Sequence, residues 1–187
     1  PIEVPQGAIR LNTDSQKLEF FAQDRWYEMA TETATGLGGR AFRIGGGSGG
    51  TIIETWNIAT EGNAIDTGFD LSYGVHAHAT AGSKTRAIQA GGRSSAGSPW
   101  AMTNMIQYFE MASLSNTIDF GDLTRAAARF EAHSDDVRMI TGGQQNGSDN
   151  TMELIIIPST GNATDFGNLT HSSELVTAAG GRTRAIY

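Results

Sequence analysis

A nine-residue phrase that recurs along the chain is the feature that most restricts its fold. The sequence NATDFGNLT at 162–170 returns as NTIDFGDLT at 116–124 and, with one residue inserted, as NAIDTGFDLS at 63–72. A leucine near the end of each copy lies 15 residues before an arginine, in the pairs Leu71 and Arg86, Leu123 and Arg138, and Leu169 and Arg184. Self-similarity at a fixed period is the signature of a tandem repeat. Fold and function must therefore be interpreted for about three equivalent units.

The length of the period indicates the kind of repeat. Asp66, Asp119 and Asp165 hold the same place in each copy, at intervals of 53 and then 46 residues. Four-stranded propeller blades repeat after about 40–50 residues. The sequence thus predicts an all-β fold built as a propeller-like array of units 40–84, 85–136 and 137–182, followed by a terminal strand at 183–187.

Each unit is expected to have the same order of strands. An Arg-x-Ile strand leads to a glycine pair and a loop, and then to an apolar strand at 51–58, 105–111 or 152–157. The phrase follows as a predicted turn, and further strands are expected in 71–80, 123–132 and 169–178. The segment 123–132 has the propensity of a helix. Its equivalents do not, and equivalent positions share a conformation, so strands are predicted for all three.

The first part of the chain is expected to form a separate module. Residues 1–30 predict a small β-meander with strands at 8–11, 18–21 and 25–29, separated by turn residues. So few short strands are marginally stable alone, which favours a role in docking or attachment. The polar, glycine-containing stretch 31–39 is the predicted linker to the repeat array at 40–187.

Three blades are too few to close a propeller, because closed rings use about 4–8. An open array leaves strand edges that invite pairing with another chain. We therefore expect a homo-oligomer, most simply a ring of two chains, with a trimer or a ring around a symmetric hub as alternatives. The candidate inter-subunit strand consists of Thr183, Arg184, Ala185, Ile186 and Tyr187.

Charge and composition exclude several partners. The chain has 13 basic and 20 acidic residues, a net charge of −7, which disfavours nucleic acid and anionic membrane surfaces. No apolar stretch is long enough to span a bilayer, and the first residues do not read as a signal peptide. There is no cysteine, which excludes disulfides and thiolate chemistry. These features predict a soluble protein made without an export signal.

Two stretches resemble a known group of proteins. The phrase, with the TRAI and glycine pair that follow it, resembles the kelch-like repeat of virion structural proteins of marine tailed phages. The segment GAIRLNTDSQKLEFFAQDRWYEM resembles the module that opens many phage tail-fibre and tail-associated proteins, with matches at Gly7, Ile9, Arg10, Asn12, Thr13, Asp14, Glu19, Phe20 and Trp26. The resemblance implies kelch-like units and a structural or host-contacting role in the virion. It supplies no catalytic residues.

Several short motifs suggest enzymes or metal sites, but repeat architecture accounts for them better. Asp66-Thr67-Gly68 has the form of the aspartic-protease triplet and Asp119-Phe120-Gly121 that of the kinase magnesium triplet, yet both are copies of one repeat position. We expect the recurring Asn and Asp side chains to pin a turn, with calcium binding by their oxygens as an alternative. The run at 45–50 satisfies a nucleotide-loop pattern through glycine density alone.

Two histidines raise a second metal alternative. His76 and His78 lie two apart and point to the same side of a strand, but a zinc site needs more ligands, from His133, His171 or carboxylates. His78 occupies the position of Phe130 and Val176 in the other units, which favours a packing role. We predict no cofactor, no metal and no catalytic residue.

The recurring arginines have two interpretations. Arg86, Arg138 and Arg184 are expected to pair with the recurring aspartates between blades, since planar guanidinium groups suit fixed carboxylates. The alternative is an inward-facing cationic ring that holds an anion.

The loops after the glycine pairs differ most between units, and variable loops on a rigid frame usually bind. The candidate contact residues are Ser48, Ser94, Ser95, Trp100, Gln144, Gln145 and Asn146. Trp100 is the preferred single candidate, although a loop aromatic folded onto the core is an equal alternative.

These inferences predict a virion structural protein that acts by binding. We expect a tail or tail-fibre component whose partners are copies of itself, other virion proteins, and a host-surface glycan or receptor. A capsid decoration protein and a glycan-binding lectin are the alternatives.

Overall fold

The computed structural model describes residues 4–14, 17–29, 39–47, 50–94, 101–143, 149–173, 175–181 and 183–187. The chain divides into two compact units, Pro1–Ala34 and Thr35–Tyr187. Within the described ranges the regular structure is all strand and no helix occurs. Accordingly, this part of the chain holds no helix long and apolar enough to cross a bilayer.

The first unit contains one antiparallel sheet. Its strands β1 (Ile9–Asn12), β2 (Lys17–Ala22) and β3 (Arg25–Glu28) lie in chain order, which confirms the three predicted strands. Cross-strand aromatic pairs hold it together, with the rings of Phe20 and Tyr27 stacked at 5.5 Å. The buried Glu19 carboxylate accepts a hydrogen bond of 2.7 Å from Arg10 Nε, and the Arg10 guanidinium lies 4.1 Å from the Trp26 ring centre. The contacts of Arg10 thus stabilise the face that carries Glu19 and Trp26, and the Phe20–Tyr27 pair stabilises the opposite face.

The second unit contains the remaining strands. They are β4 (Arg40–Gly46), β5 (Gly50–Asn57), β6 (Ile65–Asp70), β7 (Val75–His76), β8 (Ala79–Gly82), β9 (Arg86–Ala90), β10 (Arg93–Ser94), β11 (Met105–Glu110), β12 (Ile118–Asp122), β13 (Glu131–Ser134), β14 (Arg138–Gly142), β15 (Thr151–Ile156), β16 (Thr164–Asn168), β17 (Ala179–Gly180) and β18 (Ala185–Ile186). Strands β5, β11 and β15 confirm the three predicted apolar strands.

Three antiparallel sheets follow one another along the chain. Sheet 1 has the order β4-β5-β6, sheet 2 the order β8-β9-β11-β12, and sheet 3 the order β13-β14-β15-β16. Strand β17 pairs with β18, and β7 pairs with β10. By position and sequence, β4 corresponds to β9 and β14, so sheet 1 lacks a first strand among the described residues. The hairpin β17–β18 corresponds to the first two strands of sheets 2 and 3.

The hydrophobic core lies between successive sheets. One buried cluster, which includes Ile53, Phe69 and Phe109, joins sheets 1 and 2, and the rings of Phe69 and Phe109 meet edge to face at 5.2 Å. A larger cluster, which includes Ile106, Phe120 and Ile155, joins sheets 2 and 3. Each sheet therefore buries its apolar face against the next sheet, as repeat architectures require.

Two predictions about the repeated segments are wrong. The phrase was expected to be a turn, but most of it forms the last strand of each sheet, and its pairing with the neighbouring strand contains a bulge. The segments 71–80, 123–132 and 169–178 were expected to be strands, but they are largely irregular. Their equivalence still holds, because Ala77, Arg129 and Leu175 occupy the same place in each segment and all have φ between 54° and 59°. A residue in that region cannot continue a strand, which explains the difference.

Candidate functional site

The phrase connects each sheet to the next through its asparagine. Asn116 Oδ1 accepts a hydrogen bond of 2.9 Å from the backbone NH of Asp70, and Asn162 Oδ1 accepts one of 3.0 Å from Asp122. The residue after each asparagine completes the pair, since Thr117 N donates to Asp70 O at 3.0 Å and Ala163 N donates to Asp122 O at 2.8 Å. These asparagines were expected to pin a local turn. They instead form the junctions between sheets.

A second contact recurs at both junctions. The Ser72 hydroxyl at the end of one phrase donates 2.9 Å to Gln107 Oε1 in the central strand of sheet 2. The equivalent Thr124 hydroxyl donates to Glu153 Oε1 in sheet 3, and the Thr124 backbone NH donates to the same oxygen at 2.7 Å. Gln107 and Glu153 are fully buried. Buried polar side chains need such partners, so these contacts fix how the sheets align.

Gln107 and Glu153 were not predicted as contact residues, although the sequence contains a signal for them. Glu54, Gln107 and Glu153 each lie 12 residues before the recurring aspartate. All three face that aspartate across the sheet, in the pairs Glu54 with Asp66, Gln107 with Asp119, and Glu153 with Asp165.

The recurring aspartates act locally. Asp66, Asp119 and Asp165 each accept, through Oδ1, a hydrogen bond from the backbone NH two residues later, at 2.9, 3.1 and 2.9 Å. That NH belongs in every case to a glycine with positive φ. The aspartate therefore stabilises the glycine conformation that the bulge needs, as Asx turns do.

The predicted pairing of the recurring arginines with these aspartates is wrong. Arg86 Nε instead forms an ion pair of 2.7 Å with Glu110, and its Nη1 donates to the carbonyls of Ile157 and Pro158 at 2.9 and 3.0 Å. Arg138 pairs with Asp135, and its hydrogen bonds lower the pKa of that carboxyl to about 2. Arg184 lines a groove beside sheet 3. Glu110 faces Arg86 directly across strands β9 and β11, and Asp135 lies three residues before Arg138, so each of these two arginines has a nearer carboxylate.

At the two ends of the series of sheets, residues are exposed whose equivalents are buried at the junctions. Phe120 is 3% exposed at the junction between sheets 2 and 3, whereas the equivalent Phe166 of sheet 3 is 51% exposed. At the other end Asn63 and Ala64 of sheet 1 are exposed, although the equivalent Ala163 is 5% exposed. Each end face therefore carries one half of a contact that occurs twice inside the chain.

The terminal strand is not free. Strand β18 pairs with β17 in the same chain, and Tyr187 donates a hydrogen bond of 2.7 Å to Ile140 O. Burial of the ring raises the pKa of Tyr187 to about 12. A groove of about 440 Å³ remains between this hairpin and sheet 3, and Phe166 and Leu169 line it. The candidate strand 183–187 therefore has an internal partner, and its role between subunits stays a prediction.

The candidate contact loops receive little support. Ser94 is 1% exposed and its backbone NH donates to Ala101 O at 3.0 Å, so its prediction as a surface contact residue is wrong. The other candidates, Ser48, Ser95, Trp100, Gln144, Gln145 and Asn146, lie outside the described residues. Among all the residues that the structure describes, no group of three or more His, Asp or Glu side chains could hold a metal ion.

Burial shifts the pKa of one histidine, His78. Its Nδ1 is buried without a hydrogen-bond partner among the described residues. Desolvation lowers its pKa from 6.5 to about 4, and the nearby His76 acts in the same direction, against a hydrogen bond with the Ile44 backbone. The packing role that was predicted for His78 fits a ring kept neutral at pH 7.

This histidine should make stability depend on pH. Between pH 6.5 and pH 4 the unfolded chain protonates His78 and the folded chain does not, so the free energy of unfolding falls as the pH is lowered through this window. We expect a loss of about 2 kcal/mol from this group, after a discount for its partial exposure. Urea titrations at several pH values measure it. His78→Asn should flatten the dependence and the exposed His171→Asn should not; an equal slope in all three proteins would contradict the prediction.

One substitution measures how much the asparagine hydrogen bond at a junction contributes to stability. Asn162→Ala removes the acceptor for Asp122 N, and we expect it to lower the free energy of unfolding by about 1 kcal/mol, the usual value of such a hydrogen bond. Asn63→Ala makes the same change at the equivalent asparagine of sheet 1, which is exposed. Chemical denaturation of the unassociated chain should show no loss for this control. Equal effects would mean that the asparagine acts within its own sheet.

In comparisons with known proteins, no family model matches the chain and no curated protein matches it.

Proposed function

We propose that the chain is a structural protein of a tailed-phage virion, a tail or tail-fibre component that acts by binding other subunits and the host surface. The observation that carries the proposal is the series of sheets joined by a repeated contact, with one half of that contact exposed at each end. Such ends suit a protein that is one part of a larger assembly. The resemblance of the two sequence stretches to virion proteins supplies the location.

The architecture that we propose is a propeller-like array in which the three sheets are kelch-like blades. Three features support it. Sheets 2 and 3 are four-stranded meanders in chain order, as blades are. The first strands of sheets 2 and 3 lie side by side, since β13 contacts β8, and β13 also contacts β17 of the terminal hairpin. The sheets also pack face to face through apolar clusters.

Labelling of intact particles tests the proposed role. Antibodies raised against the purified chain should decorate the tail or its fibres in electron micrographs and slow adsorption of the phage to its host. Label spread over the capsid would support a decoration protein instead. Particles that carry no label would overturn the proposal, provided that the antibodies detect the native chain in solution.

A further inference from the structure

We propose that the two end faces bind each other between copies, so that sheet 1 of a second copy docks on sheet 3 of the first. The inference rests on the proposed function, which makes these faces binding surfaces, and it identifies the partner as the same chain. The docking segment is Gly62-Asn63-Ala64, and the receiving face consists of Phe166, Gly167, Asn168 and Thr170.

The docking segment already has the conformation of a bound segment. Its sequence is identical to Gly161-Asn162-Ala163, which joins sheet 3 to sheet 2. Gly62 has φ of 155° and Gly161 has φ of 153°. A segment that holds its bound conformation beforehand loses little conformational freedom on docking, which favours association.

The receiving face is formed beforehand in the same way. Phe166-Gly167-Asn168 corresponds to Phe120-Gly121-Asp122, and the φ values of the two glycines are 139° and 143°. A Cβ at Gly121 would lie 2.4 Å from the carbonyl oxygen of Gly161, whereas the space beside Gly167 is open. The backbone NH of Asn168 is therefore placed to donate to Asn63 Oδ1 of the second copy, and Phe166 to cover Ala64.

The proposed junction also has a donor and an acceptor equivalent to the Thr124 hydroxyl and the Glu153 carboxylate. Thr170 ends the phrase of sheet 3 as Thr124 ends that of sheet 2, and Glu54 holds the position of Glu153. Glu153 is 1% exposed at its junction, while the Glu54 side chain is 31% exposed and paired with Arg43 at 2.7 Å. The new junction thus combines the same residue types as the junction between sheets 2 and 3.

The missing strand of sheet 1 fits the same arrangement. Sheet 1 begins with β4, whose sequence Arg-Ala-Phe matches Arg-Ala-Ile in β18. Strand β18 is exposed and pairs with β17 at only two positions, so docking of β4 has to replace these contacts and the hydrogen bond from Tyr187 to Ile140 O. In the complex, β4 of the second copy takes the place of β18, and β17 becomes the first strand of sheet 1. Two such junctions close a ring of six sheets, within the about 4–8 blades of known rings.

Two substitutions test this by acting on opposite faces. Ala64→Arg and Phe166→Asp each place a charge on a residue that is exposed in the single chain, so folding should be unaffected. Sedimentation velocity should show the unchanged chain as a dimer at micromolar concentration, and either variant should raise the dissociation constant at least about tenfold. Ile118→Asp, at a 54% exposed position in the middle sheet, is the matched control and should leave association unchanged.

Mixing the two variants decides the geometry. Each retains one intact face, so a mixture of Ala64→Arg and Phe166→Asp chains should associate more tightly than either variant does alone. A chain that ends at Thr183 should associate at least as tightly, because β18 no longer competes with β4. The proposal is overturned by a strictly monomeric chain, by no recovery in the mixture, or by loss of association in the shortened chain. Label on the tail together with any of these results would leave the proposed function standing and reject only this inference.

Discussion

Gly121→Ala is expected to lower the free energy of unfolding by about 4 kcal/mol, because it adds a steric clash to backbone strain. The added Cβ would lie 2.4 Å from Gly161 O and 2.9 Å from Asn162 N, both of them backbone atoms that cannot rotate away. Gly121 also has φ of 143°, which disfavours any side chain. The two sheets would have to separate locally. Urea denaturation followed by circular dichroism measures the loss.

Gly167→Ala is the matched control for that experiment. It makes the same change at the equivalent position, with φ of 139°, but the nearest atom to its Cβ is Met152 Cε at 4.0 Å. In the unassociated chain it should show the backbone strain alone, about 1 kcal/mol. If the two variants lost equal stability, contact between sheets would not be the reason for glycine at this position.

Gln107→Leu is the second substitution with a large expected effect. The Gln107 side chain is fully buried, accepts hydrogen bonds from Ser72 and Thr117, and donates to Tyr73 O and Gln89 Oε1 at 2.9 and 2.8 Å. Leucine fills a similar volume, so the loss comes from the buried polar groups that are left without partners. At about 1–3 kcal/mol for each group, we expect a total of about 4 kcal/mol.

The same change at Glu54, the equivalent position in sheet 1, shows whether the loss at Gln107 is caused by burial of the side chain. Glu54→Leu alters the equivalent residue of sheet 1, where the side chain is partly exposed and its ion pair with Arg43 is solvated. In the unassociated chain we expect a loss below about 1 kcal/mol, the usual contribution of a surface ion pair. Thermal unfolding of both variants gives the comparison. A Gln107→Leu protein as stable as the Glu54→Leu protein would show that the network does not hold the sheets together.

Strand content was predictable from this sequence because it depends on local pattern. The apolar runs that became β5, β11 and β15 are short and bounded by turn residues, so their conformation is encoded within a few residues. The aspartate-to-glycine hydrogen bonds are equally local, and their role as a pin was anticipated, although in a strand rather than a turn.

The junctions between sheets were not predictable, because they join residues 40–46 positions apart. The hydrogen bonds from Asp70 to Asn116 and from Asp122 to Asn162 depend on how one sheet lies on the next, and a propensity scale carries no such information. The repeats in the sequence indicated only which residues of the three units are equivalent. They indicated that Ala77, Arg129 and Leu175 share a conformation, but the conformation itself is left-handed rather than extended. The predicted arginine pairing was wrong because Arg86 and Arg138 have nearer carboxylates, Glu110 on the facing strand and Asp135 three residues away.

Differences between the junctions have a consequence for the order in which the sheets assemble. Repeats this similar risk pairing with the wrong neighbour while the chain folds. At the first junction Gln107 donates to Tyr73 O, which a carboxylate cannot do, whereas at the second Glu153 accepts twice from Thr124. The extra residue of the first phrase, between Asp66 and Asp70, lies on the side that meets sheet 2. A sheet that skips its neighbour would therefore meet mismatched polar groups, and this penalty keeps nearly identical segments in their proper sequence.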